Sequence, residues 1–131
     1  MTTRLLIVDD QDDYRTALAA RLTDAGFDVA TAEGGQQAVE HVRRRDVDVV
    51  LLDVLMPDQD GVEALVQIKR HRPYAEVILL TGHARLPKAI EALEQGAFDY
   101  LLKPCPFEHL LGRIESACEA RRLNLRVAKG E

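Results

Sequence analysis

Cysteine is scarce in this chain: Cys105 and Cys118 are its 2 thiols among 131 residues. They form no CxxC pair, and no His/Cys cluster has zinc spacing, which excludes a dithiol redox motif and a structural zinc. Both are expected as free, semi-buried, small apolar side chains. Glycine-rich phosphate cradles are missing too; neither GxxxxGK[ST] nor GxGxxG occurs, so no nucleotide loop is encoded. There is no apolar run of bilayer length and no basic-then-apolar stretch of leader type, and the expected setting is a reducing cytoplasm. Residues 1–120 contain no linker, no low-complexity stretch and no repeat longer than one strand–helix unit, which points to a single domain. A domain of this length buries roughly two thirds of its unfolded surface and needs no covalent or metal staple.

Charge is present and unevenly placed. The formal net charge is -5, yet residues 1–66 carry 14 Asp/Glu against 6 Lys/Arg, while residues 67–131 carry 8 against 11. An acidic half of that kind argues against a general DNA-binding surface and for a cation or a basic partner.

Short apolar runs alternate with helical patterns. The runs are Leu5–Val8, Val47–Leu52, Val77–Leu80 and Tyr100–Leu102, with a weaker one at Asp28–Ala32. Runs apolar at nearly every position mark strands covered on both faces, as in a parallel sheet. Between them lie Tyr14/Leu18/Leu22/Ala25, Ala38/Val39/Val42, Val62/Leu65/Val66, Ala89/Ile90/Leu93 and Leu110/Leu111/Ile114/Ala117/Cys118, all at helical spacing. Gly26 and Gly96 stand where a helix C-terminus turns, Pro73 stops one helix and Pro87 suits a first turn. Five strand–helix units in succession imply an α/β domain with right-handed crossovers.

In such sheets, ligands bind outside the carboxyl ends of the strands, so those residues are the ones to read. The first strand ends in Asp9-Asp10, the third in Asp53, the fourth in Thr81 and the fifth in Lys103. Three carboxylates at one edge repel unless a cation sits among them, and an oxygen-only donor set describes Mg²⁺ better than zinc. A lysine and a hydroxyl add donors for phosphoryl oxygens. Asp53 stands alone after the most hydrophobic strand and is the candidate nucleophile, since aspartate forms acyl phosphates; Asp9 and Asp10 suit a metal.

The segments LLIVDDQDD (Leu5–Asp13), VVLLDVLMPDQDG (Val49–Gly61), VILLTGHA (Val77–Ala84) and AFDYLLKP (Ala97–Pro104) resemble, in order and spacing, the signature blocks of the response-regulator receiver domain of two-component signalling. The wording TGHA with GAFDYLLKP is most similar to receivers of the nitrogen-regulator and nodulation-regulator types. The resemblance runs from Arg4 to about Ala120, giving a receiver over 1–120 and a C-terminal helical extension or tail over 121–131. It implies a flavodoxin-like (βα)₅ doubly wound sheet in the order 2-1-3-4-5. It also implies Asp53 as phosphoacceptor, Asp9 and Asp10 as Mg²⁺ ligands together with the Leu55 backbone carbonyl, and Thr81 and Lys103 on the phosphoryl group. Tyr100 becomes the aromatic switch, and Lys103–Pro104 matches a bond that is cis in the family.

Further implications concern partners. The phosphoryl group is expected from a histidine kinase or phosphotransfer protein. Output is expected through the fourth helix, fifth strand and fifth helix to a downstream domain or protein, with a homodimer through that surface or the last helix as an option. Direct nucleic-acid or membrane binding is not expected, nor any turnover beyond self-phosphorylation and slow self-dephosphorylation. Two positions depart from the pattern: Cys105, where an aromatic is common and Phe107 is a substitute, and Gln11, where an acid is frequent. Two other functions compete: a phosphatase built on Asp10-Gln11-Asp12, which leaves Asp53 without a role, and a phosphate-independent binding module. Asp58–Gly61 does not fit a calcium loop, since the ligand positions would fall on Met56 and Gln67. His83 either reaches the phosphoryl site or faces solvent; His41, His71 and His109 are expected at the surface, and Arg43–Arg45 as a solvated helix end.

Overall fold

The computed structural model describes residues 2–54, 56 and 58–131. Strands β1 (Arg4–Val8), β2 (Asp28–Ala32), β3 (Val49–Leu52), β4 (Glu76–Thr81) and β5 (Asp99–Leu102) alternate with helices α1 (Asp12–Asp24), α2 (Gly35–Arg44), α3 (Gly61–His71), α4 (Leu86–Glu94) and α5 (Phe107–Ala128). All pairings are parallel, in the order β2-β1-β3-β4-β5, with β3 at the centre. This is the expected flavodoxin-like architecture.

Side chains alternate across the sheet because strand residues point to opposite faces in turn. Leu6, Val8, Val50, Leu52, Val77 and Leu79 face one layer containing α2, α3 and α4. Leu5, Ile7, Val49, Leu51, Ile78 and Leu80 face the other, with α1 and α5. Burial on both faces is why these strands are near-continuous apolar runs and why periodicity exposes them so plainly.

Punctuation follows the sequence. Gly26 and Gly96 take φ of 101° and 111° just past α1 and α4, a region that disfavours any side chain. Pro87 lies in the first turn of α4. The third strand starts two residues later than its apolar run, at Val49; Asp48 just before it exchanges backbone hydrogen bonds with Arg4 and Glu76, and its carboxylate accepts the Arg4 backbone N–H at 2.7 Å. His71 and His109 are exposed, whereas His41 is half-buried against expectation; burial, and secondarily the Arg45 charge, lower its imidazole pKa.

Two connections bear on the site. Asp60 caps α3, its carboxylate accepting the Val62 N–H at 2.8 Å, and its other oxygen accepts from Lys88 on α4 at 2.7 Å. A Cβ at Gly61 would lie 2.4 Å from the Val54 Cα, so the chain leaving β3 folds onto backbone that only glycine allows so close.

Candidate phosphoryl site

Ladder hydrogen bonds continue one residue beyond three strands: Asp9 N–H donates to Ala32 O (3.2 Å), Asp53 N–H to Val8 O (3.0 Å) and Lys103 N–H to Thr81 O (2.8 Å). The register then fixes heights along the edge. Val8 pairs with Leu52 and Leu52 with Leu79, so Asp9 and Asp53 stand side by side, one step past that level. Thr81 is one residue higher and pairs with Leu102, which leaves Lys103 two residues above the carboxylates. At about 3.3 Å per residue, only a long side chain spans that drop. Lysine does so: its Nζ lies 2.6 Å from Asp9 Oδ2 and 3.4 Å from Asp53 Oδ2.

The remaining contacts complete the pocket. Thr81, fully buried, directs its hydroxyl at Asp53 Oδ1 over a long 3.4 Å. Asp9 is 4% exposed, and its other carboxylate oxygen accepts the Gln11 N–H at 2.9 Å. Asp10 lies in the open, and Asp9, Asp10 and Asp53 each bring a carboxylate oxygen within 4.8 Å of the others. Three hard oxygen donors at that spacing fit a divalent cation with several waters, and the converging negative charge favours one. Leu55 lies outside the described residues. Tyr100 is half-buried on β5 against the α2–α3–α4 layer, and His83 is exposed in a single 3₁₀ turn after β4.

Burial works to lower the Lys103 pKa, but the Asp9 hydrogen bond and the charges of Asp53 and Asp9 outweigh it and raise it. The pocket therefore holds a firmly charged ammonium. Lys103–Pro104 is cis.

Two residues of this neighbourhood carry no strand-end signal. Arg15, 8% exposed, donates to the Asp9 carbonyl at 2.7 Å and to Asp12 at 2.5 Å, fixing the chain as it leaves β1. Tyr14 sits with its ring centroid 4.3 Å from Lys103 Nζ, and burial raises its phenol pKa. An aromatic at helical spacing looks like core in sequence, so the ring's second contact is invisible there. Phe107 does not touch Lys103 in this way; Arg21 lies over it at 4.0 Å, beside Cys105 in a groove between α1 and α5.

A five-stranded parallel sheet in this order, with acids, a hydroxyl and an ammonium converging at its carboxyl edge, defines a flavodoxin-like α/β domain with its candidate ligand site at the strand ends. The family model "Response regulator receiver domain" matches residues 5–115. The chain belongs to that family, the receiver domains of two-component response regulators, which implies phosphorylation-controlled switching. It is 42% identical over 113 residues to the transcriptional regulatory protein ZraR of Escherichia coli O157:H7, covering 86% of this chain and 26% of that protein. Brucella abortus NtrX, crystallised with ADP, superposes with a TM-score of 0.92 at 30% identity, covering 100% of this chain and 30% of that one. A receiver domain protein from Clostridium thermocellum gives 0.87 at 32% identity, covering 92% and 98%. The chain thus spans about a quarter of the length of the curated relatives it matches. Receivers as a family bind Mg²⁺ at an acidic pocket and work with histidine kinases and output domains. No helix among the described residues is long and apolar enough to cross a membrane.

Proposed function

We propose that Asp53 accepts a phosphoryl group from a phosphohistidine on a histidine kinase or phosphotransfer protein, and that the acyl phosphate switches the surface of α4, β5 and α5. The observation that supports this best is the placement of Asp53 between two donors, with Thr81 on one carboxylate oxygen and Lys103 on the other. An Asp53 oxygen attacks phosphorus in line; the phosphorus–nitrogen bond breaks, and its electron pair leaves on the imidazole, which takes a proton from solvent. Asp9, Asp10 and Asp53 would hold Mg²⁺, with the Leu55 carbonyl as a further ligand, and the ion would supply charge neutralisation on the transferring oxygens. Lys103, within reach of Asp9 and Asp53, would share that load. Afterwards the Thr81 hydroxyl bonds the phosphoryl group, the loop after β4 closes inward, and Tyr100 turns into the space released. Such a population shift needs about 1–3 kcal/mol of coupling.

The receiver occupies residues 1–120, and residues 121–131, the end of α5 with a short tail, connect it to a partner or output domain, with pairing of two copies through this helix or the α4–β5–α5 surface as its oligomeric form. The setting is a reducing cytoplasm. Acetyl phosphate with Mg²⁺ should label wild type once and Asp53→Asn not at all, by intact mass and phosphate-affinity gel. Beryllofluoride should move the amide resonances of Thr81 and Tyr100. Equal labelling of Asp53→Asn would remove Asp53 from its role, and a static spectrum would remove the switch.

A further inference from the structure

Lys103 is held by three contacts of two kinds. Asp9 and Asp53 hold it by charge, at 2.6 Å and 3.4 Å, and the Tyr14 ring holds it by its π face, at 4.3 Å. The two carboxylates are the groups that a metal and a phosphoryl group would engage. Once they are engaged, their hold on the ammonium weakens at the moment the ammonium is needed. The ring is neutral and belongs to neither set. Beside it lies an open groove of about 490 Å³, lined by Ala17, Leu18, Cys105, Phe107 and Leu110, with Lys103 on its wall. A flexible four-carbon lysine stem could swing into that space.

We propose that Tyr14 is a positioning residue for Lys103: its ring face keeps the ammonium over the pocket while Asp9 and Asp53 are occupied, holding it against a swing along the groove that both residues line. This rests on Asp53 being the acceptor. It assigns to the first turn of α1 a part in phosphoryl transfer that lies outside the acid, hydroxyl and lysine positions.

The test uses the whole chain and acetyl phosphate with Mg²⁺, a small donor that needs no docking surface. Tyr14→Phe keeps the ring face and should label Asp53 within about twofold of wild type. Tyr14→Leu keeps an apolar side chain without the ring, and labelling should slow about fivefold, the rate equivalent of an ordinary cation–π contact. In wild type and Tyr14→Phe, ring current should displace the Lys103 ε-methylene proton resonance upfield; Tyr14→Leu should return it to the ordinary position. Equal rates for wild type and Tyr14→Leu, with native amide spectra, would overturn the proposal, as would a Tyr14→Phe as slow as Tyr14→Leu. An undisplaced ε-methylene resonance in wild type would overturn it with no variant at all. Failure of wild type itself to label at Asp53 would instead strike the acceptor assignment on which it stands.

Discussion

Lys103 is the residue on which the pocket's electrostatics turn. Its side chain is 18% exposed and lies between carboxylates that are 5% and 13% exposed, so its charge compensates theirs where water does so poorly. Replacing it leaves three acids facing one another. Lys103→Met should lower the urea unfolding free energy by about 2 kcal/mol in metal-free buffer. Added Mg²⁺ should restore part of that loss, because a cation among the acids replaces the missing one; a metal-independent loss would mean that the ammonium stabilises by packing instead. The positions that converge at this edge were unevenly legible. Asp9, Asp10, Asp53, Thr81 and Lys103 could be singled out because each follows an apolar run directly, and the chemistry of a strand end follows from topology. Arg15 and Tyr14 could not, since a helix residue beside a site has the same spacing as one in the core.

Among the elements, the connections after β3 are more constrained than their polar composition suggests. Asp58 reaches across to the first turn of α2, accepting the Gly35 and Gln36 N–H groups at 3.2 and 3.1 Å, and so caps a helix 22 to 23 residues away in sequence. Asp60 caps its own helix and anchors Lys88 of α4. The sequence rules out a calcium loop here, but a cap supplied from so far along the chain leaves no local pattern. Gly61 is the tightest point. Gly61→Ala would press a methyl group into the backbone of Val54, with no flexible side chain to yield, and should destabilise by about 1–3 kcal/mol in urea melts. A melt unchanged from wild type would show that the β3–α3 connection moves freely. The last helix shows the opposite limit: its apolar spacing fades after Cys118, so its continuation to Ala128 was open in sequence. Arg121 lies in that continuation, paired with Asp46 and Asp48 at 3.4 and 3.2 Å.

Across the whole molecule, charged side chains gather at two sites at opposite ends of the sheet. One is the carboxylate pocket at the strand C-termini. The other lies at the N-terminal end, where Arg4 and Arg121 share Asp46 and Asp48. Half-burial works to raise the Asp48 carboxyl, but the Arg4 hydrogen bonds and the Arg121 and Arg4 charges outweigh it and hold it below the usual carboxylate range. A lowered folded-state pKa contributes stability that is present above the unfolded value of about 3.9 and is lost as pH falls through the lowered one. Acid unfolding of Asp48→Asn, followed by circular dichroism, should therefore be flatter than wild type below pH 4, with a lower stability at pH 7; parallel curves would exclude Asp48 as an acid-labile tie. The first site has a further consequence, which lies in its chain topology. The Lys103–Asp9 ion pair joins residues 94 positions apart, and β3 and β4, lying between β1 and β5 in the sheet, hold the two ends in register. No conformer that has lost β1 or β5 contains the pocket, so the capacity to be phosphorylated would itself report that the sheet is assembled from one strand to the other, and a kinase acting on this chain would pass signal only through molecules in that state.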